Sequence, residues 1–145
     1  MKIYTIGFTK KSAERFFGLL REAGVATLVD VRLNNVSQLS GFAKRDDLRY
    51  FLGEICGAQY THRTELAPTK EMLDAYKKGN VGWVAYEDRF LELMKMRKVD
   101  EIIRRESLEN AALLCSEDNA HHCHRRLVAE YLAQQWGDIT IEHLA

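Results

Sequence analysis

Between positions 115 and 124 the chain places Cys115, His121, His122, Cys123 and His124, and Arg125 and Arg126 follow at once. They gather where an apolar stretch, "AALLCS", gives way to a polar one and a second periodic segment begins. Three chemistries compete for such a junction. A thiol near the positive end of a helix, with His or Arg beside it, can lose its proton below the free value of about 8.5 and serve as nucleophile or redox group. Cys and His together offer the soft donors that suit zinc. The third reading is a polar loop whose Cys and His are incidental.

Spacing narrows the choice. A cysteine-phosphatase loop starting at Cys115 or Cys123 would need Arg at 121 or 129, where this chain has His and Ala. No Gly-rich run precedes Lys and Ser or Thr, so a nucleotide phosphate loop is also excluded. Paired C-x2-C spacing is absent as well. A metal reading therefore has to combine Cys115 and Cys123 with one or two of His121, His122 and His124.

The elements that must position these groups follow from the hydrophobic periodicity. "KIYTIGF" (2–8) and "ATLVDVR" (26–32) read as strands, the second with the continuous apolar centre of a strand covered on both faces. Between them Ser12 caps a predicted helix carrying Phe16, Phe17, Leu19 and Leu20, which Gly24 closes. Residues 33–45 read as a loop, long enough to be functional. Asp46 is expected to cap the next helix, which ends before Gly57. "AQYTH" (58–62) is a short third strand, and Thr69 caps a helix running through Tyr76. Trp83, Tyr86, Phe90, Leu91 and Met94 repeat at helical spacing and are expected in the core. A further helix covers 99–107, "AALLCS" (111–116) is a buried strand, a helix carries Leu127 to Trp136, and "ITIEHL" (139–144) is an edge strand.

Alternating strands and helices predict one α/β domain over residues 1–145, with a mainly parallel sheet and helices on both faces, a three-layer α/β/α arrangement. In such sheets ligands sit beyond the carboxyl ends of the strands. That rule gathers a rim: Gly7 from the first strand, Asp30 and Arg32 from the second, Cys115 and Glu117 from the fourth. Cys123, His124 and Arg125 stand at the start of the following helix. On this rim Cys115 or Cys123 would be the nucleophile or redox thiol and His124 a general acid or base. Arg32 and Arg125 would hold an anion, while Asp30 and Glu117 would orient partners or move protons.

The chain also resembles a known family, the small bacterial and archaeal proteins grouped as domain of unknown function 488. The resemblance rests on "YTIG" at 4–7, "LVDVR" at 28–32, Ser37 with "GF" at 41–42, "ELAP" at 65–68, Trp83 with Tyr86, and "LLCSEDNAHHCHR" at 113–125. It implies functional positions at Cys115, Glu117, Cys123, His124 and Arg125, with Asp30 and Arg32 from the other strand; Gly7 and Ser37 are expected to bind substrate beside them. It supplies no reaction and no cofactor. Asn34 and Asn35 replace the proline that many relatives carry after the Arg.

Lys and Arg balance Asp and Glu at 21 each, so no overall field attracts nucleic acid or an acidic membrane. A small anionic substrate is the expected partner, and a nucleic-acid or protein partner on the basic helices and the 33–45 loop is the weaker alternative. No apolar run is long enough to span a bilayer and "MKIYTIGF" is no signal peptide, so a cytoplasmic location with three reduced thiols is expected. Cys56, at a helix end, is expected to be a small buried hydrophobe.

Overall fold

The computed structural model describes residues 1–36, 41–117 and 120–145. Five strands, β1 (Lys2–Gly7), β2 (Thr27–Asp30), β3 (Gln59–His62), β4 (Ala111–Cys115) and β5 (Thr140–Leu144), form one sheet in the order β3-β2-β4-β1-β5. Every pairing is parallel. Parallel strands need crossovers, and the helices supply them: α1 (Ala13–Ala23), α2 (Arg45–Phe51), α3 (Lys70–Lys77), α4 (Trp83–Arg97), α5 (Val99–Ile102) and α6 (His124–Trp136). The α/β class with helices on both faces is therefore present.

Alternation along the strands feeds two separate cores. Tyr4, Ile6, Leu28, Ala112 and Leu114 pack with Phe16, Phe17, Leu20, Leu48 and Leu52 from α1, α2 and the turn after α2. Ile3, Val29, Leu113 and Cys115 face the other way, against Phe90 and Met94 of α4 and Leu127, Val128 and Leu132 of α6. Burial of an apolar side chain of this size contributes about 1.5–3 kcal/mol, so the paired cores are the main stabilising term. The sheet itself is the wall between them.

Local signals fix most helix ends. Ser12 accepts from the backbone N–H of Arg15, Gly24 closes α1 at φ 70°, and Thr69 accepts from Met72 N–H at the start of α3. Asp46 is not a cap. The chain enters α2 at Lys44, and past Phe51 it widens into a π-helical turn, Leu52–Cys56, before Gly57 turns left-handed. The segment 99–107 divides into α5 and a 3-10 turn, Arg105–Leu108, because Ile103 between them is extended.

Strand order sets the location of the site. β1 and β2 are followed by helices of one face, β4 by α6 on the other, so the crevice opens where β2 and β4 run side by side. On the far side of β4, Gly7 ends β1, paired with Cys115. A Cβ on Gly7 would stand 1.5 Å from the carbonyl oxygen of Glu117, so only glycine lets that turn lie on the sheet. In Gly18, mid-α1, a Cβ would meet nothing within 4 Å. Urea denaturation should therefore separate the two glycines: Gly7→Ala is expected to cost about 3 kcal/mol or more by overpacking, and Gly18→Ala to gain about 0.5–1 kcal/mol from helix propensity.

Candidate functional site

The β2 end supplies a rigid cation. Arg32 donates from Nε to Asp30 Oδ1 (2.9 Å) and from Nη2 to Asp30 Oδ2 (2.8 Å), and its backbone N–H also reaches Oδ1 (3.1 Å). Tyr60 donates its hydroxyl to Oδ2 (2.5 Å), and Asn35 Nδ2 donates in turn to that hydroxyl (3.0 Å). Asp30 is fully buried and its acceptor capacity is spent on these donors, so it orients Arg32 and has no free oxygen for moving a substrate proton. Burial and the Asp30 carboxylate push the Tyr60 hydroxyl above its ordinary value, which keeps it a donor. The Arg32 guanidinium lies 5.4 Å from the Phe8 ring. Its remaining nitrogen, Nη1, is buried with no hydrogen-bond partner.

Across from this group, the end of β4 and the start of α6 bring sulfur and imidazole together. Cys123 is the N-cap of α6, and its sulfur is joined to that of Cys115 at the β4 end, with Cα atoms 7.3 Å apart. This corrects the expectation of three reduced thiols; Cys56 alone is free, half-buried, its thiol pushed up by burial. The cause is that the N-cap of α6 stands over the end of β4, which lays one cysteine against the other. Arg125 ties these ends together. Its Nη1 donates to the Glu117 carbonyl above Gly7 and to Cys123 Sγ at 3.6 Å.

His124 closes the cluster. Its Nε2 lies 2.7 Å from the Val31 carbonyl, which can only accept, so Nε2 carries the hydrogen and Nδ1 presents its lone pair to Cys115 Sγ at 3.9 Å. Burial lowers its pKa to about 4, with Arg125 adding to the effect against the opposing influence of the Val31 bond and Asp30. The ring is neutral at pH 7. Among the described residues, Cys115, Cys123 and His124 are the group of metal-competent side chains that converges, their ligand atoms within 4.8 Å of one another and all buried.

A cleft of about 340 Å³ joins these parts. Arg32 and Asn34 line it from beyond the β2 end, Cys115, Cys123 and His124 from the β4 end and the α6 start, and Tyr76, Trp83, Tyr86 and His122 give it a wall of rings. Trp83 stacks on both Tyr86 (5.4 Å between centroids) and His122 (4.8 Å), and His122 on His121 (4.5 Å). Tyr86 is core, as its spacing predicts, while Trp83 is half-buried and its ring also faces the cleft. This wall was not legible as a site: Tyr76 and Trp83 sit on different helices, and no motif links them.

The other expected site residues take different parts. Glu117 keeps its side chain exposed at the cleft mouth and contributes a carbonyl to Arg125. Gly7 works as a spacer beneath that carbonyl, and Arg125 lines a separate hollow with Arg126 and His143. Ser37 lies outside the described residues. No helix among those residues is long and apolar enough to cross a membrane.

The family model described as "Domain of unknown function DUF488" matches residues 12–132. The chain belongs to that family. No curated protein and no solved structure matches it significantly.

The depressed pKa of His124 has a thermodynamic sign. The unfolded chain takes up a proton near pH 6.5 and the folded one only near 4, so this histidine's contribution is full above 6.5 and is lost as pH falls through that window. At about 1.4 kcal/mol for each unit, the loss comes to about 3 kcal/mol. Two-bond ¹H–¹⁵N spectra should show His124 as the Nε2–H tautomer, unchanged from pH 8 to 5; a midpoint near 6.5 would contradict the geometry.

Proposed function

We propose that this chain is a small thiol-dependent transferase or hydrolase whose active centre is the cleft between the carboxyl ends of β2 and β4. The observation that carries the reading is the meeting, in one cavity, of a fixed guanidinium with an unmet N–H and a buried pair of sulfurs beside an imidazole. Substrate fits as a compact molecule with hydrogen-bond acceptors and an acidic group, since the cleft's two cationic side chains are Arg32 and Lys77.

In the reduced chain the two sulfurs differ. Cys123 stands at a helix N-terminus and receives a hydrogen bond from Arg125, and both lower the cost of a thiolate. Cys115 faces His124, whose lowered basicity makes it a poor acceptor for a thiol proton: transfer from a free thiol to a group near 4 costs about 6 kcal/mol. Cys123 is therefore the nucleophile of choice. It would attack an electrophilic carbon of the substrate, the leaving group would depart with a proton, and water or an acceptor would release the bound portion. Asp30 positions Arg32, and Cys115 can close on Cys123 as a disulfide when the site is oxidised.

A second reading is favoured by the convergence of Cys115, Cys123 and His124 on one point. A histidine whose far N–H is held by a backbone carbonyl is pre-set for a metal, and two thiolates with one imidazole leave zinc a fourth position toward the cleft.

Alkylation with iodoacetamide under reducing conditions, followed by peptide mapping, tests the first reading. Cys123 is expected to react with a midpoint at least about one pH unit below the free value of 8.5. Ordinary midpoints for all three thiols would remove it. Elemental analysis of untagged, reduced protein tests the second: about one zinc per chain, lost in Cys115→Ser, would replace the thiol nucleophile with a metal centre.

A further inference from the structure

The two walls of the cleft are chemically unlike, and together they select a kind of ligand. One wall is a row of rings. Tyr76 lies 4.9 Å from Tyr86 and 5.6 Å from Trp83, and Trp83 runs nearly parallel to both Tyr86 and His122. Of these only Tyr86 is fully buried; Tyr76 and Trp83 are half-buried and His122 is exposed. Tyr76 and Trp83 also pack against the core, and each leaves part of its surface uncovered along the cleft. A surface of flat, polarisable faces and edges is matched by another flat ring, which gains stacking or edge-to-face contacts there.

The other wall is Arg32, only 3% exposed, with Nη1 buried and unpartnered. A guanidinium can only donate, and a buried donor left unmet is destabilising, a cost that a ligand acceptor would relieve. Asp30 already matches its charge through two hydrogen bonds, and a dianion beside Arg32 would meet that carboxylate across the guanidinium. The acceptor that suits Nη1 is thus a carbonyl oxygen or ring nitrogen with partial charge. A formal charge on the ligand belongs at the mouth, where Lys77 is exposed. The volume, about 340 Å³, is at the low end of ligand pockets and holds a single ring system with small substituents.

We propose that the cleft recognises a planar heterocycle bearing a carbonyl, of nucleobase size, its ring against Tyr76 and Trp83, its carbonyl on Arg32 Nη1 and any acidic tail toward Lys77. This rests on the reading of the cleft as the active centre, and it holds whether sulfur or a metal does the chemistry. The same ring could be offered by a free mononucleotide or by an unpaired base in a strand.

Titration calorimetry on the unsubstituted, reduced protein tests it with four probes: uridine 5′-monophosphate, ribose 5-phosphate, phenyl phosphate and a short thymidine single strand. Uridine monophosphate is expected to bind at least about tenfold more tightly than ribose 5-phosphate, which lacks the ring, and than phenyl phosphate, which lacks the carbonyl. Trp83→Leu and Arg32→Lys should each remove about tenfold of that preference, with circular dichroism checking the fold. If Arg32→Lys does not fold, the phenyl phosphate comparison on the unsubstituted protein carries the carbonyl contact alone. A strand that binds more tightly than the mononucleotide, with the same dependence on Trp83, assigns the ring to a polymer; the reverse order assigns it to the free nucleotide. Equal binding of uridine monophosphate and either simpler phosphate, or no heat from any ring-bearing probe at about 10 mM, overturns the proposal. Repeating the titration with Cys123→Ser separates the two readings. On the unsubstituted protein, ring preference with ordinary alkylation midpoints for all three thiols sinks the proposed chemistry alone, and a low Cys123 midpoint without ring preference sinks this inference alone; ring binding kept in Cys123→Ser shows that the two are independent.

Discussion

The buried ion pair between Asp30 and Arg32 is the constraint from which the rest of the site follows. Both side chains leave water almost completely, and Asp30 is tied down by Arg32, by the Arg32 backbone and by Tyr60. Taking two charges out of water costs several kcal/mol for each ion, and their attraction at best returns that cost. A hydrophobic pair would serve the sheet as well. What the ion pair supplies instead is a guanidinium held in one orientation at the crevice, with one nitrogen still able to donate.

The facing cluster depends on a similar close approach. Gly7 admits the Glu117 carbonyl, Arg125 grips that carbonyl, and the grip draws the N-cap of α6 over the end of β4. Cys115, Cys123 and His124 converge because of that fold-back. His124 then reaches across to the Val31 carbonyl, one residue before Arg32, so the β2 end and the α6 start are hydrogen-bonded to each other. The two halves of the cleft are mechanically linked at their floor. Displacing either would alter the other.

Much of this was legible in the residue pattern, and the reasons are specific. The strands showed because their centres are continuous apolar runs, as in "TLVD" and "AALLC", and a parallel sheet puts all their carboxyl ends on one rim. Ser12, Gly24 and Thr69 marked helix ends through chemistry that is local in sequence. Asp46 misled because a capping residue is recognised by type, while at the true entry, Lys44, no side chain caps the helix and the Arg45 N–H donates instead to the Asn35 carbonyl. The sulfur pairing was missed because it depends on how far a turn folds back. Trp83 does pack against the core, as its spacing predicts, but periodicity reports only that a ring is on the apolar face, and a cleft can border that face as readily as a neighbouring helix can.

The central claim is that the Asp30–Arg32 pair is retained for the cleft and adds nothing net to the fold. Urea unfolding of two variants measures this directly. Asp30→Asn alone leaves Arg32 buried without its counter-charge and should cost about 3–5 kcal/mol, whereas Asp30→Asn with Arg32→Met should return to within about 1 kcal/mol of the unsubstituted protein. A double variant as unstable as the single one would show that the pair holds the sheet together, and would contradict the claim.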